Sequence, residues 1–479
     1  MTQATLAPGP YQSCFRCFGV PAAGSSHGEA VSCGARYPIT EVRTRCERCG
    51  GLLDVEHDLL ALQKTSGASW RALFDQRALR APFPYTSGVW GKKEWVCPDL
   101  PDSAIVSLGE GHTPLVPMPR LGAELGVPDL WIKQCGHNPT GSFKDLGMTV
   151  LVSMVQHLRM LGRPVPAVAC ASTGDTSAAL AAYCARAGLR AVVFLPAGQL
   201  SDEQLSQPLA HFATTVALST DFDGCMALVA QFCQRHGVYL ANSMNPLRIE
   251  GQKTLSCEIA QQLDWQPPDW VVVPGGNLGH TTALGRGFEL LRALGLCQKT
   301  PRLLVAQAAS AAPLYQAFKQ KWHFTPLVAQ PTLASAIRIG NPVNVHKAIA
   351  VLRRLDGAVE LATEDELARA FVLGDQHGLY CDPHTGVALA ALAKQRAAEL
   401  IRAEDRVVVV STAHGLKFGA LKRAHHQGDQ STQSNQDDQG KSIGPPRALV
   451  AATAAPRNPP LRVAAELAAL EDALLPRLL

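Results

Sequence analysis

Short apolar runs rich in β-branched residues recur along this chain, and they constrain its fold more than any other feature. Each run ends in a turn or glycine signal and is followed by a segment with helical periodicity. Apolar strands that alternate with helices predict a mainly parallel sheet covered on both faces, which defines the α/β class. Such folds bind ligands at the carboxyl ends of their strands. The clearest strand runs are residues 167–170, 191–195, 270–273, 303–306 and 407–410.

Composition excludes several classes of protein. The 479 residues allow two or three domains, and 47% hydrophobic with 18% charged residues argue against a wholly disordered chain. No uncharged apolar run approaches the roughly 18–20 residues of a membrane helix, so we expect no membrane association. The net charge is +4, and acids and bases are interspersed, so the sequence shows no basic cluster of the kind that binds nucleic acid. Because the first ten residues lack the pattern of a secretory signal, we expect a cytoplasmic enzyme with a small-molecule substrate.

Four regions follow one another along the chain. Residues 1–60 form a Cys- and Gly-rich preface, and residues 61–423 are expected to form a core of two interleaved α/β subdomains. Residues 424–460 are polar and then Ala/Pro-rich without periodicity, which predicts a disordered insert or linker. Residues 461–479 are amphipathic and predict a C-terminal helix, for which docking on the core is preferred to binding a partner.

One lysine stands at the start of a predicted helix. Lys144 follows a Pro-Thr-Gly-Ser turn, in which Ser142 or Thr140 is expected to cap the helix. The positive end of the helix dipole disfavours a second positive charge and lowers a lysine pKa, which suits a nucleophilic amine that forms a Schiff base. A lone lysine is usually a solvated surface residue, so this assignment depends on the other segments of the constellation.

Three further segments follow predicted strands and carry small, polar or glycine residues. The run Ser172-Thr173-Gly174-Asp175-Thr176-Ser177 offers donors at a strand–helix junction, which is a natural anion seat or an ordinary helix cap. Glycines at 275, 276 and 279 let the backbone approach a phosphate, and neither a dinucleotide nor a Walker motif is present. After the strand at 407–410, Thr412 offers a hydroxyl to a heterocyclic nitrogen, whereas His414 and Lys417 receive only turn-stabilising roles. An amine, a phosphate anchor and a ring-nitrogen partner are what pyridoxal phosphate needs.

The sequence resembles the threonine synthases, a family of fold type II pyridoxal-phosphate enzymes, and in particular their plant and cyanobacterial-like branch. The resemblance extends from about Gly50 to Phe418 and implies two parallel-sheet α/β domains of the tryptophan synthase β type, with pyridoxal 5'-phosphate between them. The motifs that carry it are residues 140–150, 171–182, 221–226, 240–254, 275–279, 381–389 and 408–418.

The resemblance also implies roles for single residues. Lys144 would carry the cofactor and act in catalysis, Asp175 would lie near the cofactor's 3-oxygen, and Thr412 would meet its pyridine nitrogen. The cofactor phosphate would be held by the backbone of Gly275, Gly276, Asn277, Leu278 and Gly279. The substrate phosphate would be held by Thr176, Asn242, Ser243 and Arg248. A guanidinium fork suits phosphate oxygens better than an ammonium does. His280 departs from the Asn that several plant-like sequences have after the glycine loop.

The implied reaction converts O-phospho-L-homoserine and water to L-threonine and phosphate, the last step of threonine biosynthesis, and the implied assembly is a homodimer. A threonine or serine dehydratase is the nearest alternative, but it needs no second phosphate site. A catalytically inactive regulatory homologue or zinc-ribbon module is a second alternative, and the presence of Lys144 with the complete glycine loop argues against it.

The fourteen cysteines divide into two groups. Those at 170, 184, 225, 233, 257 and 297 lie in apolar or helical stretches, which favours packing. In the preface, Cys14-x-x-Cys17 and Cys46-x-x-Cys49 have the spacing of zinc ligands, with Cys33 as a competing ligand. The 28 residues between the pairs exceed the usual spacing of a zinc ribbon. We therefore assign no metal at this point and keep structural zinc as the alternative.

Overall fold

Three β-sheets organise the part of the chain that the computed structural model describes, which comprises residues 10–21, 30–172, 174–197, 202–220 and 222–427. The five strand runs predicted above are all strands. The strands of these residues are β1 Ser13–Pro21, β2 Ala30–Val31, β3 Arg36–Pro38, β4 Leu52–His57, β5 Leu115–Pro117, β6 Leu130–Gln134, β7 Val168–Ala171, β8 Ala191–Pro196, β9 Thr214–Leu218, β10 Tyr239–Leu240, β11 Trp270–Pro274, β12 Arg302–Ala308, β13 Ala358–Ala362 and β14 Val407–Ser411.

Helices connect most of the strands, as the alternating pattern predicts. None of the described helices is long and apolar enough to span a bilayer. Their bounds are α1 Leu59–Leu62, α2 Gly67–Arg80, α3 Lys93–Val96, α4 Pro119–Glu124, α5 Lys144–Met160, α6 Asp175–Arg186, α7 Asp202–Ala210, α8 Phe222–His236, α9 Pro246–Gln262, α10 Gly279–Ala293, α11 Pro313–Lys319, α12 Val345–Arg354, α13 Glu364–Gln376, α14 Pro383–Ala397 and α15 Gly419–Gln427.

Two of the three sheets form the core. One has six strands in the order β13-β12-β11-β14-β6-β5, parallel except for the antiparallel edge strand β5. The other has four parallel strands in the order β10-β7-β8-β9. Every residue of β7, β11 and β14 is buried, because helices cover both faces of each sheet. The six cysteines assigned to packing are buried as well.

The preface forms the third sheet, which is antiparallel and centred on β1. Strand β1 pairs with β2, β3 and β4. The last of these strands also joins the preface to the core through charged pairs. Asp54 pairs with Arg286 of α10 at 3.0 Å and with Lys347 of α12 at 2.7 Å, and His57 lies 2.6 Å from Glu250 of α9. Paired charges of this kind hold the preface in one orientation on the core.

Helix α9 runs through the centre of the molecule. Fifteen of its 17 residues are buried. It crosses α5 at two glycines, where a Cβ atom on Gly251 would overlap the carbonyl oxygen of Leu146, and a Cβ atom on Gly147 would lie 2.7 Å from the carbonyl oxygen of Arg248. The two backbones approach this closely because neither glycine has a side chain.

The structure corrects one sequence boundary. Residues 424–427, which the sequence assigned to the insert, form the last turn of α15, which ends at Gln427. The remainder of the predicted insert and the predicted helix at 461–479 lie outside the described residues.

Gly251→Ala is expected to lower the thermal unfolding midpoint and to cost about 1–3 kcal/mol of stability. An alanine in a helix normally gains about 1 kcal/mol over glycine, but here its methyl group meets the Leu146 carbonyl. Gly419→Ala in α15 is the matched control, since only Arg423 lies near its Cβ position, at 3.5 Å. Equal stabilisation of both variants in thermal melts would contradict the close crossing.

Candidate active site

The polar segments predicted from the sequence meet between the carboxyl ends of the two parallel sheets. The N–H of Phe143 donates to the carbonyl of Thr412 at 3.0 Å, which joins the lysine segment to the end of β14. Phe143 also stacks on His280 at the end of the glycine loop, with ring centroids 3.9 Å apart. Lys417 reaches Asp175 at 2.9 Å. These contacts bring all four segments to one site.

Lys144 is the first residue of α5, as predicted. The preceding turn needs the left-handed backbone of Gly141, with φ of +83°. Ser142 Oγ accepts the N–H of Lys144 at 3.3 Å, so Ser142 supports the helix start. Thr140 does not cap the helix as expected: its hydroxyl and N–H donate to the Asp145 carboxylate at 2.5 and 2.7 Å. The hydrogen bonds of Ser142 and Thr140 therefore fix the backbone of residues 140–145, which contains Lys144.

The surroundings of Lys144 favour its neutral amine. Burial lowers the pKa of Lys144, and the nearby positive charges of Arg248 and Lys417 lower it further, to about 7, against an opposing effect of Asp175. Lys144 Nζ lies 3.7 Å from the centre of the Phe143 ring. An amine that is partly deprotonated near pH 7 is both a nucleophile and a proton carrier.

The glycine loop offers backbone donors at the start of α10. The N–H groups of Gly276, Asn277 and Leu278 have no hydrogen-bond partner among the described residues. Leu278 adopts the left-handed conformation with φ of +63°, which turns successive amides toward one concavity. Gly275 differs from its predicted role, because its N–H is bonded to the Ala306 carbonyl at 2.8 Å. The phosphate seat therefore begins at Gly276.

Contacts behind the loop explain its glycines. A Cβ atom on Gly276 would lie 3.1 Å from Ile337 Cα, and one on Gly275 would lie 2.5 Å from Val305 Cγ1. Asn344 joins the loop to the substrate segment, since its N–H donates to the Asn277 carbonyl at 3.2 Å and its side-chain amide donates to the Ser243 carbonyl at 3.0 Å. The loop is thus fixed before any ligand binds.

Thr412 lies directly after β14 with 6% of its surface exposed, and its hydroxyl has no partner among the described side chains and backbone. Asp382 holds the segment from behind, because its carboxylate accepts the N–H of Ala413 at 2.9 Å. The same carboxylate lies 2.6 Å from His384 Nδ1, and His384 Nε2 accepts the N–H of Ala336 at 3.1 Å. His384 is therefore the neutral Nδ1–H tautomer, and it links the Thr412 segment to the backbone under the glycine loop.

Arg248 is a buried guanidinium without a carboxylate partner among the described residues. It is 3% exposed, donates to the Ala241 carbonyl at 3.0 Å and to Thr176 Oγ1 at 3.4 Å, and its Nε has no partner. Arg248 does not form an ion pair with the nearby Glu250, which pairs with His57 instead. Burial lowers the pKa of Arg248 to about 10, so it is charged at neutral pH. A buried charge left unpaired in this way calls for an anionic ligand.

The other predicted substrate residues lie nearby. Thr176 is in the first turn of α6 and touches Arg248. The Asn242 amide exchanges two hydrogen bonds with the backbone of Ala171, at 3.0 and 2.9 Å, so it first of all orders the end of β7. Ser243 is partly exposed beside it. Contacts of Asn242 and Ser243 with a substrate stay predictions.

Two residues were missed by the sequence reasoning. Lys417 was given only a turn-stabilising role, yet it pairs with Asp175 and donates to the Thr140 carbonyl at 2.9 Å. Its position after Thr412 was the available signal.

His280 was noted only as a departure, yet both of its ring nitrogens are buried without a partner. Burial and the charge of Lys144 lower the pKa of His280 to about 3, so the ring is neutral. His414 keeps its predicted role, since Nδ1 accepts the N–H of Leu416.

Comparison with known proteins identifies the family. Residues 106–413 match the family model described as pyridoxal-phosphate dependent enzyme, so the chain belongs to the pyridoxal-phosphate dependent enzymes. It is 50% identical to threonine synthase 2, chloroplastic, of Arabidopsis thaliana, over 91% of this chain and 82% of that protein. It is 38% identical to the threonine synthase of Methanocaldococcus jannaschii, over 81% of this chain and 92% of that one. Within the family, the chain belongs to the threonine synthases.

A solved structure agrees with the fold. The threonine synthase from Escherichia coli superposes with a TM-score of 0.61 and 21% identity, covering 97% of this chain and all of that one. This likeness and the family match confirm the predicted fold type II α/β architecture.

The residues present fit pyridoxal phosphate. The amine of Lys144 would react with the aldehyde, the free amides of Gly276 to Leu278 would hold the phosphate, and the Thr412 hydroxyl would bond to the ring nitrogen. A side chain on Gly276 would meet Ile337 and the Ala336 carbonyl behind the loop and so displace these amides. The donor set thus has one group for each functional end of the cofactor.

Lys144→Ala is expected to lower turnover by at least three orders of magnitude while the protein still folds, because one amine serves both as cofactor anchor and as proton carrier. Borohydride reduction followed by peptide mass spectrometry should attach the cofactor to Lys144 in the wild type and to no lysine in the variant. Lys64→Ala, at an exposed position, is the control and should retain labelling. Labelling of another lysine in the wild type would refute the assignment.

Gly276→Val is expected to weaken cofactor affinity at least tenfold, about 1.4 kcal/mol, because its side chain meets Ile337 and the Ala336 carbonyl. Titration of the apoprotein with pyridoxal phosphate measures the effect, and Gly276→Ala should give a smaller loss. An unchanged titration curve, with unchanged circular dichroism, would place the phosphate elsewhere.

Proposed function

We propose that the chain converts O-phospho-L-homoserine and water to L-threonine and inorganic phosphate. The observation that carries this proposal is a second anion site, formed by Arg248 and Thr176, in addition to the glycine loop. The identities of 50% and 38% to threonine synthases support the same reaction.

The two anion sites belong to different sheets. The glycine loop follows β11 of the six-stranded sheet, whereas Thr176 follows β7 of the four-stranded sheet. Lys144 lies against Phe143, which stacks on His280 at the end of the glycine loop, and the charge of Arg248 lowers the pKa of Lys144. This arrangement suits an amino-acid substrate whose reacting carbons lie at the amine and whose phosphate points away from the cofactor phosphate.

The second site also argues against a dehydratase. A dehydratase substrate carries a hydroxyl rather than a phosphate, so it would leave the Arg248 charge buried and unpaired. A phosphorylated substrate neutralises this charge on binding. The guanidinium then gives charge-assisted hydrogen bonds, which are about twice as strong as neutral ones.

The chemistry divides between the cofactor and the protein. When bound, pyridoxal phosphate supplies an electron-accepting ring for the negative charge that develops on the substrate. Lys144 Nζ removes the Cα proton and then a proton from Cβ, for which a pKa of about 7 is suited because the amine can both accept and return protons. Arg248 and Thr176 hold the phosphate as its bond to Cγ breaks. A proton returned to Cγ makes this carbon the methyl group, water then adds at Cβ, and a proton returned to Cα completes the product.

Thr412 sets how strongly the ring withdraws electrons. A neutral hydroxyl does not stabilise a protonated pyridine nitrogen as a carboxylate would. The described site places no carboxylate at Thr412, since Asp382 is occupied with Ala413 and His384 behind it. We expect the ring nitrogen to stay largely unprotonated, which moderates electron withdrawal.

We also propose a reducing compartment such as the cytoplasm. All fourteen cysteines are free thiols, and of these only Cys33 is exposed, with Cys14 and Cys49 partly exposed. The homodimer implied by the family resemblance stays a prediction.

Arg248→Ala is expected to lower kcat/KM for O-phosphohomoserine about 100-fold, because charge-assisted bonds to the phosphate are lost. Arg248→Lys should restore part of the activity, since it keeps the charge and loses the fork. Phosphate release measures both. Cofactor affinity and slow turnover of an unphosphorylated amino acid such as L-serine serve as controls and should hardly change. Equal losses on both substrates would mean that Arg248 supports the fold instead.

A further inference from the structure

We propose that Cys17, Cys33, Cys46 and Cys49 of the preface bind one structural zinc ion. The four sulfur atoms all lie within 4.8 Å of one another, and this group is called the thiol cluster below. Cys17 and Cys49 are 3.4 Å apart between their sulfur atoms, and so are Cys33 and Cys46. All four are free thiols.

The spacing fits a tetrahedral metal site. Four sulfur ligands at about 2.3 Å from one zinc ion lie about 3.8 Å from each other, and the distances in the thiol cluster bracket this value. A separation of 3.4 Å is far longer than a disulfide bond of about 2.05 Å. Four soft sulfur ligands in a tetrahedron favour zinc or iron over hard cations, and zinc is the usual ion of closed structural sites.

The ligand set differs from the two Cys-x-x-Cys pairs in the sequence. Cys14 and Cys17 lie three residues apart on the extended strand β1, so their side chains point to opposite faces of the sheet. Cys14 is paired in register with Glu56, and its sulfur lies 3.9 Å from the Glu56 carboxylate. Cys33 takes its place in the thiol cluster. Cys33 was the competing ligand in the sequence, but spacing alone could not choose it over Cys14, because it comes from the segment between β2 and β3.

Turns shape the two ligand segments that lie outside strands. Gly34 follows Cys33 and Gly50 follows Cys49, with φ of +75° and +71°. The N–H of Gly50 donates to the Cys46 carbonyl at 2.9 Å, which closes the turn that brings Cys46 and Cys49 together. The left-handed backbone favours glycine at both places. The hydroxyl of Tyr37 lies 3.2 Å from Cys46 Sγ and would orient this ligand.

The preface needs such a connection because its sheet is small. Strand β2 has two residues and β3 has three, too few to hold their places by backbone pairing alone. The thiol cluster joins β1 to the segments after β2 and before β4. A bound metal supplies folding free energy to a small module of this kind.

The test measures metal content in the full-length protein carrying its cofactor, purified without chelators. We expect about one zinc per chain by inductively coupled plasma mass spectrometry. Cys33→Ser should lower the zinc content at least fivefold, whereas Cys14→Ser, the matched control on the other face of β1, should leave it unchanged. Replacement of the zinc by Co²⁺ should give the intense visible bands of tetrahedral thiolate coordination in the wild type and in Cys14→Ser.

Cys33→His keeps the test decisive if Cys33→Ser folds poorly, since a Cys₃His set also binds zinc and should retain the ion. Cofactor content is read in parallel, so that failure of the metal site is distinguished from failure of the proposed reaction. A wild type without zinc after growth in zinc-supplemented medium, stoichiometric iron instead, or zinc loss in Cys14→Ser alone would each overturn the proposal.

Discussion

An excess of positive charge around one amine is the constraint on which the rest of the site depends. Burial lowers the pKa of Lys144 most, the charges of Arg248 and Lys417 lower it further, and Asp175, which pairs with Lys417, opposes them. Like charges in a partly dry interior raise one another's free energy and favour loss of the most acidic proton. The site relieves this excess by keeping Lys144 partly neutral and by taking up anions. A phosphorylated cofactor and a phosphorylated substrate would each neutralise part of this positive charge.

The backbone makes this concentration of charge possible. Arg248 and Lys144 lie at the starts of α9 and α5, and these helices approach one another through Gly147 and Gly251. Larger residues at the crossing would separate the guanidinium from the amine and weaken their coupling. The distance between the substrate phosphate and the reacting carbons is therefore set by helix packing as much as by the residues that touch the ligand.

The sequence predicted the strands, the lysine turn and the glycine loop because each is encoded locally. An apolar run such as 270–273 and the glycines after it specify their own conformation. Lys417, His280 and Cys33 could not be assigned in this way, since each acquires its role from residues far away in the chain. Asn242 is the opposite case. Its side-chain amide was predicted to bind the substrate phosphate, but it is bonded to the backbone of Ala171 at the end of β7. Tertiary contacts decided these four positions.

The charges beneath β4 make the preface part of the catalytic core. Asp54 compensates Arg286 and Lys347, and His57 meets Glu250, which lies two residues after Arg248 on the same helix. The region matched by the family model begins only at residue 106 and contains one half of each of these pairs. In a chain reduced to that region, the buried Lys347 and the partly buried Arg286 would both have lost Asp54, next to the helix that carries Arg248. The boundary drawn by sequence similarity is therefore not a boundary at which this molecule can be divided.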